Sequence, residues 1–168
     1  GWIGSPATQK YLQLLKEPLI KLNAKIPIRV VIIGANKIDN LQVPTEKHIW
    51  EEATEAKLIS SLHVGVMPLY DGDTEKGKCG YKLIQYMACG KPVIGSPIGI
   101  NKKIISSDVG FLAKESNDWV ESFSFLASND EMRRSFGENA RKTVEKHYSI
   151  KVIAPKILNM FNKVTSKT

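Results

Sequence analysis

Two patterns of apolar and polar positions alternate along this chain. Short β-branched runs such as 29–33 and 92–95 are typical of strands buried on both faces of a parallel sheet. Between such runs, apolar residues recur at steps of three and four, the spacing of helices with one buried face. Strands are predicted at 2–3, 29–33, 48–50, 62–67, 92–95 and 109–113. The alternation predicts an α/β fold with a doubly wound, Rossmann-like parallel sheet of about six strands.

The predicted helices have recognisable start signals. Ser5 followed by Pro6 begins a helix that extends to Leu22, and Pro18 is expected to kink or divide it. Further helices are predicted at 51–61, 80–89 and 102–105, with a loop at 68–77. A C-terminal helical segment starts at about 117, and its first two helices end near 127 and 148. Their predicted caps are Asn117-Asp118 and Asn129-Asp130.

The last predicted helix follows Ser149 and has an apolar stripe at steps of three and four. The stripe consists of Ile150, Ile153, Ile157, Met160 or Phe161, and Val164. Packing into the core is the default interpretation of such a stripe, and a binding surface is the alternative. Pro155 is expected to bend the helix.

Composition and charge narrow the classes of function. A length of 168 residues predicts one domain, and 42% apolar with 24% charged residues is ordinary for a globular protein. The longest apolar run, 30–33, is too short to cross a membrane, so a soluble, cytoplasmic protein is expected. The net charge of +7 suits nucleic acid, an anionic membrane surface or phosphorylated ligands. Nucleic acid is disfavoured, because the lysines are scattered and no RNA-binding motif is present.

The strongest chemical signal lies at the start of the helix predicted at 80–89. Lys78, Lys82 and Gln85 share one face of it. A helix N-terminus carries about half a positive charge and unpaired N–H groups, so cations are unfavourable there unless an anion binds. The backbone at Cys79 and Gly80, together with the two lysines, is therefore predicted to bind a diphosphate. A solvated lysine face on a surface helix is the alternative.

No metal or redox site stands out. Asp71 and Asp73 flank a glycine after a predicted strand, and such a pair can coordinate a hard cation. Aspartate beside glycine is also common in turns, which is the preferred interpretation. Cys79 and Cys89 lie ten residues apart without a zinc-type cluster, so neither a disulfide scaffold nor a structural metal is predicted. Structural roles are favoured for His48, His63 and His147. We expect no metal and no other cofactor.

Three separate stretches together resemble a known family. They are Met67-Pro68 with GYKLIQYMACGKPVI at 80–94, VGFL at 109–112 and DEMRRSFGENAR at 130–141. In order and spacing they are similar to the retaining, nucleotide-sugar-dependent glycosyltransferases of group 1, the family-four type with a GT-B fold. The resemblance implies that 1–168 is the C-terminal nucleotide-sugar-binding domain, one half of that fold. It implies transfer of a sugar from a UDP or GDP type donor to a glycan or lipid-linked acceptor. A non-catalytic nucleotide-sugar-binding or scaffold module is the alternative.

The resemblance also assigns roles to single residues. Members of the family commonly carry two glutamates that contact the donor sugar and the ribose, and here Gly77 and Gln85 occupy those positions. Gln85 is expected to bind the ribose, since its amide has both donors and an acceptor. Glu75 is the candidate to replace the missing glutamate. Tyr81 and Trp50 are further candidates for contact with the donor sugar or the nucleobase, and packing into the core is the alternative for Trp50.

A second departure from the family concerns the diphosphate. Relatives place cations just after the first strand, whereas this chain has Gly4 and Ser5 there. Gly4 and Ser5 are predicted to bind the diphosphate, and Lys78 and Lys82 are expected to supply the charge that those cations provide in relatives. No catalytic base is identified. The missing N-terminal acceptor domain is expected to supply it, so this chain alone should not transfer sugar. The last helix is expected to pack on that domain, and the whole protein to associate peripherally with the inner face of the membrane.

Overall fold

Six parallel strands form two three-stranded sheets in the computed structural model, which describes residues 1–35 and 40–165. The first sheet contains β1 (Trp2–Ile3), β2 (Val30–Ile33) and β3 (Thr45–His48). The second contains β4 (Gly65–Met67), β5 (Val93–Gly95) and β6 (Gly110–Leu112). Within each sheet the strands lie side by side in chain order.

The two sheets meet where β1 lies beside β4. The Val66 amide donates a hydrogen bond to the Gly1 carbonyl at 2.9 Å, so the strand order across the molecule is β3-β2-β1-β4-β5-β6. This is the strand order of the Rossmann fold, in which the sequential order of the strands reverses between the two central strands, β1 and β4. The predicted doubly wound α/β fold is confirmed.

Helices surround the strands. The described helical elements are a 3₁₀ helix at Pro6–Leu15, α1 (Lys16–Asn23), α2 (Glu52–Ser60), α3 (Asp73–Lys76), α4 (Tyr81–Ala88), α5 (Asn101–Ile104), α6 (Ser116–Ser128), α7 (Asp130–His147) and α8 (Ile150–Thr165). The predicted C-terminal helical segment is present as α6 to α8. The first predicted helix is divided as expected. Its α-helical part starts at Lys16, which leaves Pro18 in the first turn, where a missing N–H costs no hydrogen bond.

The third strand differs from the prediction. It was placed at 48–50, but β2 pairs in register with Thr45–His48, with Val30 opposite Thr45 and Ile33 opposite His48. Its sequence, TEKH, is polar because β3 is an edge strand whose side chains are exposed or half-buried. Beyond it the chain leaves the sheet, and Trp50 is 50% exposed.

Two local predictions about helices are also wrong. The segment 68–77 is not all loop, since α3 forms within it. The N-cap of α6 is Glu115 rather than Asn117. Asp118 does cap this end, as predicted, because its carboxylate accepts hydrogen bonds from the Lys114 and Glu115 amides at 2.9 Å each. These two backbone bonds hold the pKa of Asp118 below its ordinary value. Helix α7 does follow Asn129, as expected.

Helix α8 contradicts the prediction that its stripe packs into the core. It has no buried residue, and its large apolar side chains are mostly exposed, from 47% at Ile157 to 82% at Ile150. The helix continues through Pro155. Its apolar face is therefore available for contact with a further surface.

The core lies on both faces of the strands. One cluster includes Ile33, Leu83 and Tyr86, and the other includes Trp2 and Trp119. Within 1–35 and 40–165, no helix combines the length and apolarity needed to cross a membrane.

Tyr86 of α4 joins the two sheets. Its hydroxyl accepts a hydrogen bond from the Ile3 amide at 2.8 Å and donates one to the Val66 carbonyl at 3.2 Å. The ring fits only because residue 65 is glycine, since a Cβ there would lie 2.1 Å from Tyr86 Cγ. Helix α4 is therefore fixed to the central strands β1 and β4 by one buried side chain.

Replacing Tyr86 by Phe is expected to lower the free energy of unfolding by about 1 to 3 kcal/mol, because the Ile3 amide and Val66 carbonyl lose a buried partner. Urea denaturation measures the change. Tyr148→Phe is the control, since the Tyr148 hydroxyl has no hydrogen-bond partner among the described residues. An equal loss in both variants would contradict the bridging role of Tyr86.

Candidate functional site

A pocket of about 800 Å³ opens at the carboxyl ends of β1, β2 and β4. Ile3 and Gly4 line it from β1, Gly34 from the end of β2 and Met67 from the end of β4. This is the point where the strand order reverses, and in open α/β sheets ligands bind in the crevice at that point. The fold therefore places the pocket where a ligand site is expected.

Bare backbone forms one side of the pocket. The Gly4 amide donates to the Ile33 carbonyl and the Gly34 amide to the His48 carbonyl, each at 2.9 Å. Gly34 has φ +87°, and a Cβ there would lie 2.6 Å from the Gly4 carbonyl oxygen. The two glycines therefore let the backbone turn tightly here and leave room for a ligand.

The N-terminus of α4 contributes the next side. Gly80 precedes the helix with φ +71°, and the first helical hydrogen bond runs from the Leu83 amide to the Gly80 carbonyl at 3.0 Å. No side chain caps this end, and its first turn has no acidic residue. The amides of Tyr81 and Lys82 thus come before the first helical hydrogen bond. They lie beside the pocket, at the positive end of the helix dipole.

Lys78 and Lys82 lie in the pocket and are half-buried, rather than on the solvated lysine face that was the alternative interpretation. The Lys78 Nζ lies 5.3 Å from the centroid of the Tyr11 ring and the Lys82 Nζ 5.7 Å from that of Trp2. Neither forms an ion pair with a carboxylate within the described part of the chain. Burial lowers the pKa of Lys82, and the Lys78 charge lowers it further, whereas Cys79 acts in the opposite direction. The pocket therefore holds two cations that form no direct ion pair with the described residues.

The pocket also contains a carboxylate that the sequence prediction missed. Glu55 of α2 accepts a hydrogen bond from Gln85 Nε2 at 2.6 Å through Oε1 and one from the Trp50 indole N–H through Oε2. Gln85, Trp50 and Glu55 all line the pocket, as does Tyr81, which is 61% exposed. The available signal was that Glu55 lies in the first turn of a helix that follows a parallel strand, near the carboxyl edge of the sheet.

Glu75 does not reach the pocket, although it was the candidate to replace the missing glutamate. Helix α3 turns it inward, where it is 8% exposed and accepts a hydrogen bond from the Tyr11 hydroxyl. That bond is the main reason why the pKa of Glu75 is lowered, and burial opposes it. Burial and then the bond to Glu75 raise the pKa of Tyr11 to about 12. The pair thus joins α3 to the 3₁₀ helix.

We expect the Tyr11–Glu75 pair to give stability a defined pH dependence. The pKa of Glu75 is lowered on folding, so its contribution is present above the ordinary value of 4.5 and lost as pH falls through the lowered pKa. The pKa of Tyr11 is raised, so stability falls as pH rises between 10.0 and about 12. The difference in unfolding free energy between the parent and Tyr11→Phe should be largest near neutral pH. A difference that does not vary with pH would contradict this assignment.

The acidic pair on the preceding loop has a local partner. Asp71 and Asp73 form ion pairs with Lys76 Nζ at 3.3 and 3.4 Å, and neither aspartate lines the pocket. Among residues 1–35 and 40–165, no group of three or more His, Cys, Asp or Glu side chains is arranged to hold a metal ion. Each of these aspartates therefore has an exposed lysine as its ion-pair partner.

The pocket brings together nearly all of the residues proposed from sequence. They are Gly4, Ser5, Trp50, Gly77, Lys78, Cys79, Gly80, Tyr81, Lys82 and Gln85. Glu75 lies apart from them, and Glu55, Gly34 and Met67 were not predicted. The arrangement combines hydrogen-bond donors and positive charge with exposed aromatic rings and one carboxylate.

The family of the chain follows from its sequence match. Residues 3–143 match the family described as glycosyl transferases group 1, and the chain belongs to this family. It is similar to a trehalose synthase of Pyrococcus horikoshii, with 30% identity over 51% of this chain and 21% of that protein. It is also similar to the N-acetyl-α-D-glucosaminyl L-malate synthase of Bacillus anthracis, with 33% identity over 48% of this chain and 22% of that protein. The match thus spans about a fifth of the length of these curated relatives.

Solved structures share the fold. HepE from Anabaena, crystallised with UDP and glucose, has a TM-score of 0.79 at 15% identity, over 96% of this chain and 47% of HepE. A TarM variant from S. aureus, solved with fondaparinux, α-GlcNAc-glycerol and UDP, has a TM-score of 0.69 at 21% identity, over 96% of this chain and 35% of TarM. The C-terminal domain of the group 1 protein LpcC from Francisella tularensis has a TM-score of 0.68 at 19% identity, over 89% of this chain and 85% of that domain.

Proposed function

We propose that this chain is the donor-binding half of a nucleotide-sugar-dependent glycosyltransferase. The whole protein transfers a sugar from a nucleoside diphosphate to a glycan or lipid-linked acceptor and retains the anomeric configuration. The observation that carries the proposal is the meeting of Lys78, Lys82 and the uncapped N-terminus of α4 in one pocket at the reversal of strand order. Membership of the group 1 family supports it.

The cationic end of the pocket suits a diphosphate leaving group. Negative charge develops on the diphosphate as the bond to the sugar breaks, and fixed N–H groups with two lysines stabilise that charge. The lysines need no reorganisation, because they are held half-buried beside Tyr11 and Trp2. Since these cations neutralise the diphosphate, we propose that donor binding needs no metal ion.

We propose UDP-linked hexoses as the first donors to examine, with GDP-linked sugars as the second choice. HepE was crystallised with UDP-glucose, and the TarM variant with UDP. Trp50 and Tyr81 give the pocket two exposed aromatic rings for the nucleobase or the sugar. Gln85 is assigned to the ribose, as the resemblance implies.

The acceptor is proposed to bind through an N-terminal domain. The exposed apolar face of α8, which includes Ile157, Met160 and Val164, is proposed to pack on that domain. We also propose a cytoplasmic location, with peripheral contact between the whole protein and the membrane where the acceptor is lipid-linked. The 168-residue chain alone is then expected to bind donor without transferring sugar.

A non-catalytic nucleotide-sugar-binding module is the second candidate function. The observation that favours it is the missing carboxylate beside the donor sugar. Gly77 lines the pocket without a side chain, and Glu75 is buried against Tyr11 instead. Product analysis of the longer protein with labelled donors and glycan or lipid-linked acceptors separates the two functions.

Nucleotide binding is the direct test of the site. Calorimetric titration with UDP, GDP and ADP, each with and without a chelator, is expected to show binding of one nucleotide that the chelator leaves unchanged. Amide chemical shifts are expected to move at 80–82 and at Gln85. If none of the three nucleotides binds, or if the shifts are confined to another region, the proposal fails.

A further inference from the structure

The pocket contains groups of opposite charge. Lys78, Lys82 and the start of α4 supply positive charge and hydrogen-bond donors. Glu55 is the one carboxylate among the described residues that line the pocket. A phosphate group, which carries only acceptors and negative charge, is favoured beside the lysines and disfavoured beside Glu55. The phosphates of a ligand are therefore favoured beside the lysines, and an uncharged hydrogen-bond donor is favoured beside Glu55.

Glu55 and Gln85 together offer hydrogen-bond acceptors to a ligand. Gln85 Nε2 donates to Glu55 Oε1 at 2.6 Å, so the carbonyl oxygen of the Gln85 amide stays available as an acceptor. The Trp50 N–H is committed to Glu55 Oε2. Two donors leave about half of the lone-pair sites of a carboxylate unused. What these two residues offer a ligand is therefore a pair of neighbouring acceptor oxygens, one on Gln85 and one on Glu55.

Neighbouring acceptors match neighbouring hydroxyl donors. A vicinal diol donates two hydrogen bonds in nearly parallel directions, and the bond to a carboxylate is the stronger kind. The proposed function assigns Gln85 to the ribose, so the diol that binds beside Gln85 and Glu55 is that of the nucleoside rather than that of the transferred sugar. The indole ring of Trp50, which is held by the same carboxylate, lies beside it for an aromatic base to pack on.

The geometry points to Glu55 as a ligand-binding residue that accepts a hydrogen bond from a ribose hydroxyl, with Gln85 accepting from the neighbouring one. This inference rests on the proposed function. It makes the site selective for ribonucleoside over deoxyribonucleoside diphosphates, and it assigns that selectivity to a helix, α2, that is distant in sequence from the diphosphate-binding helix α4.

The test compares three probes on the purified protein: UDP, 2′-deoxy-UDP and inorganic pyrophosphate. The parent is expected to bind UDP about tenfold or more tightly than 2′-deoxy-UDP, as the loss of a hydrogen bond to a charged acceptor implies. Glu55→Gln is expected to weaken UDP binding about tenfold, to reduce the preference over 2′-deoxy-UDP, and to leave pyrophosphate binding unchanged. GDP and 2′-deoxy-GDP replace the uridine pair if GDP is the nucleotide that binds.

Glu52→Gln is the matched control, because Glu52 is an exposed glutamate in the first turn of the same helix and does not line the pocket. It should behave as the parent does. Glu55→Asp, which withdraws the carboxylate by one methylene, serves as the second variant if Glu55→Gln does not fold, and it should also lose the preference for ribose.

The outcomes separate the inference from the proposed function. If the parent binds none of UDP, GDP and ADP, the proposed function itself fails. If a ribonucleotide binds and Glu55→Gln keeps the full preference over its deoxy form, the assignment of Glu55 is overturned while the proposed function stands. Equal losses for UDP and pyrophosphate would show that Glu55 only maintains the structure of the pocket, and would overturn the inference as well.

Discussion

The double variant Lys78→Ala/Lys82→Ala will bind UDP at least about a hundredfold more weakly than the parent. Each charge-assisted contact to a phosphate oxygen contributes about 1.5 to 3 kcal/mol, and two such losses correspond to at least that factor. Both ammonium groups are half-buried and unpaired by carboxylates within the described residues, so a bound diphosphate is their natural counter-ion. Calorimetric titration at fixed ionic strength measures the change.

The same variant should keep its thermal stability. Burial lowers the pKa of Lys82, which means that the fold disfavours its charged form, so removing that charge relieves a cost. The melting temperature of the double variant should therefore stay close to that of the parent.

The affinity for UDP should also depend on pH, because Lys82 loses its positive charge as pH rises. UDP binding to the parent should weaken as pH rises through the lowered pKa of Lys82, below 10.5, and Lys82→Ala should lack this decrease.

Lys102→Ala/Lys103→Ala is the control for net charge. Both lysines are exposed on α5 and neither lines the pocket, so this pair removes the same charge at another place. UDP binding should change little. If the control loses as much affinity as the pocket variant, the effect is one of overall charge, and the assignment of Lys78 and Lys82 to the diphosphate is wrong.

The fold could be predicted from the sequence because the buried faces of its strands and helices leave a pattern in neighbouring residues. The β-branched run of β2 and the apolar face of α4 report burial directly, and parallel strands separated by helices admit few arrangements. The resemblance to the family, rather than this pattern, assigned Gly4 and Ser5 to the same site as the start of α4. The structure brings these residues into one pocket, because the end of β1 and the loop before α4 lie at the same edge of the parallel strands.

Contacts between distant side chains were beyond prediction. Glu55 and Gln85 are thirty residues apart, and Tyr11 and Glu75 sixty-four, and no spacing rule relates either pair. The exposed strand β3 was misplaced for a related reason. Its polar residues are stabilised by backbone pairing with β2, which leaves no periodic signal in the side chains. The sequence thus indicated which segments form the pocket, whereas only the structure shows that the Glu55 carboxylate lies in it.

Helix α8 shows the limit of reading an amphipathic pattern. The periodicity was correctly assigned to a helix. A stripe of apolar residues indicates that burial of that face is favourable, but it does not identify the surface that buries it. Here the covering surface is not the core of this domain, because no residue of α8 is buried. The pattern therefore predicts an element reliably and its partner poorly.

Gly80→Ala is expected to lower the free energy of unfolding by about 2 to 5 kcal/mol. The left-handed backbone at φ +71° costs an alanine about 1 to 2 kcal/mol, and overpacking adds about 1 to 3 kcal/mol. The overpacking arises because a Cβ at this position would lie 2.4 Å from Ile104 Cδ1, a buried side chain of α5. Because the left-handed residue sets the direction of the start of α4, whose amides line the pocket, UDP binding should weaken in the same variant. Urea denaturation and calorimetric titration measure the two effects.

Two further variants show which part of the cost is steric. Gly77→Ala is the control from the same loop, where φ is −81° and the nearest atom to an added Cβ is 3.6 Å away, so it should be neutral or stabilising by up to about 1 kcal/mol. Ile104→Val deletes the clashing methyl group, at a cost of about 0.5 to 1.5 kcal/mol on its own. Combined with Gly80→Ala it should restore part of the lost stability, with a coupling of about 1 kcal/mol or more. Strict additivity would assign the whole cost to the backbone angle, whereas a fully stable Gly80→Ala would show that the start of α4 does not need the left-handed conformation and that its amides are not fixed for an anion.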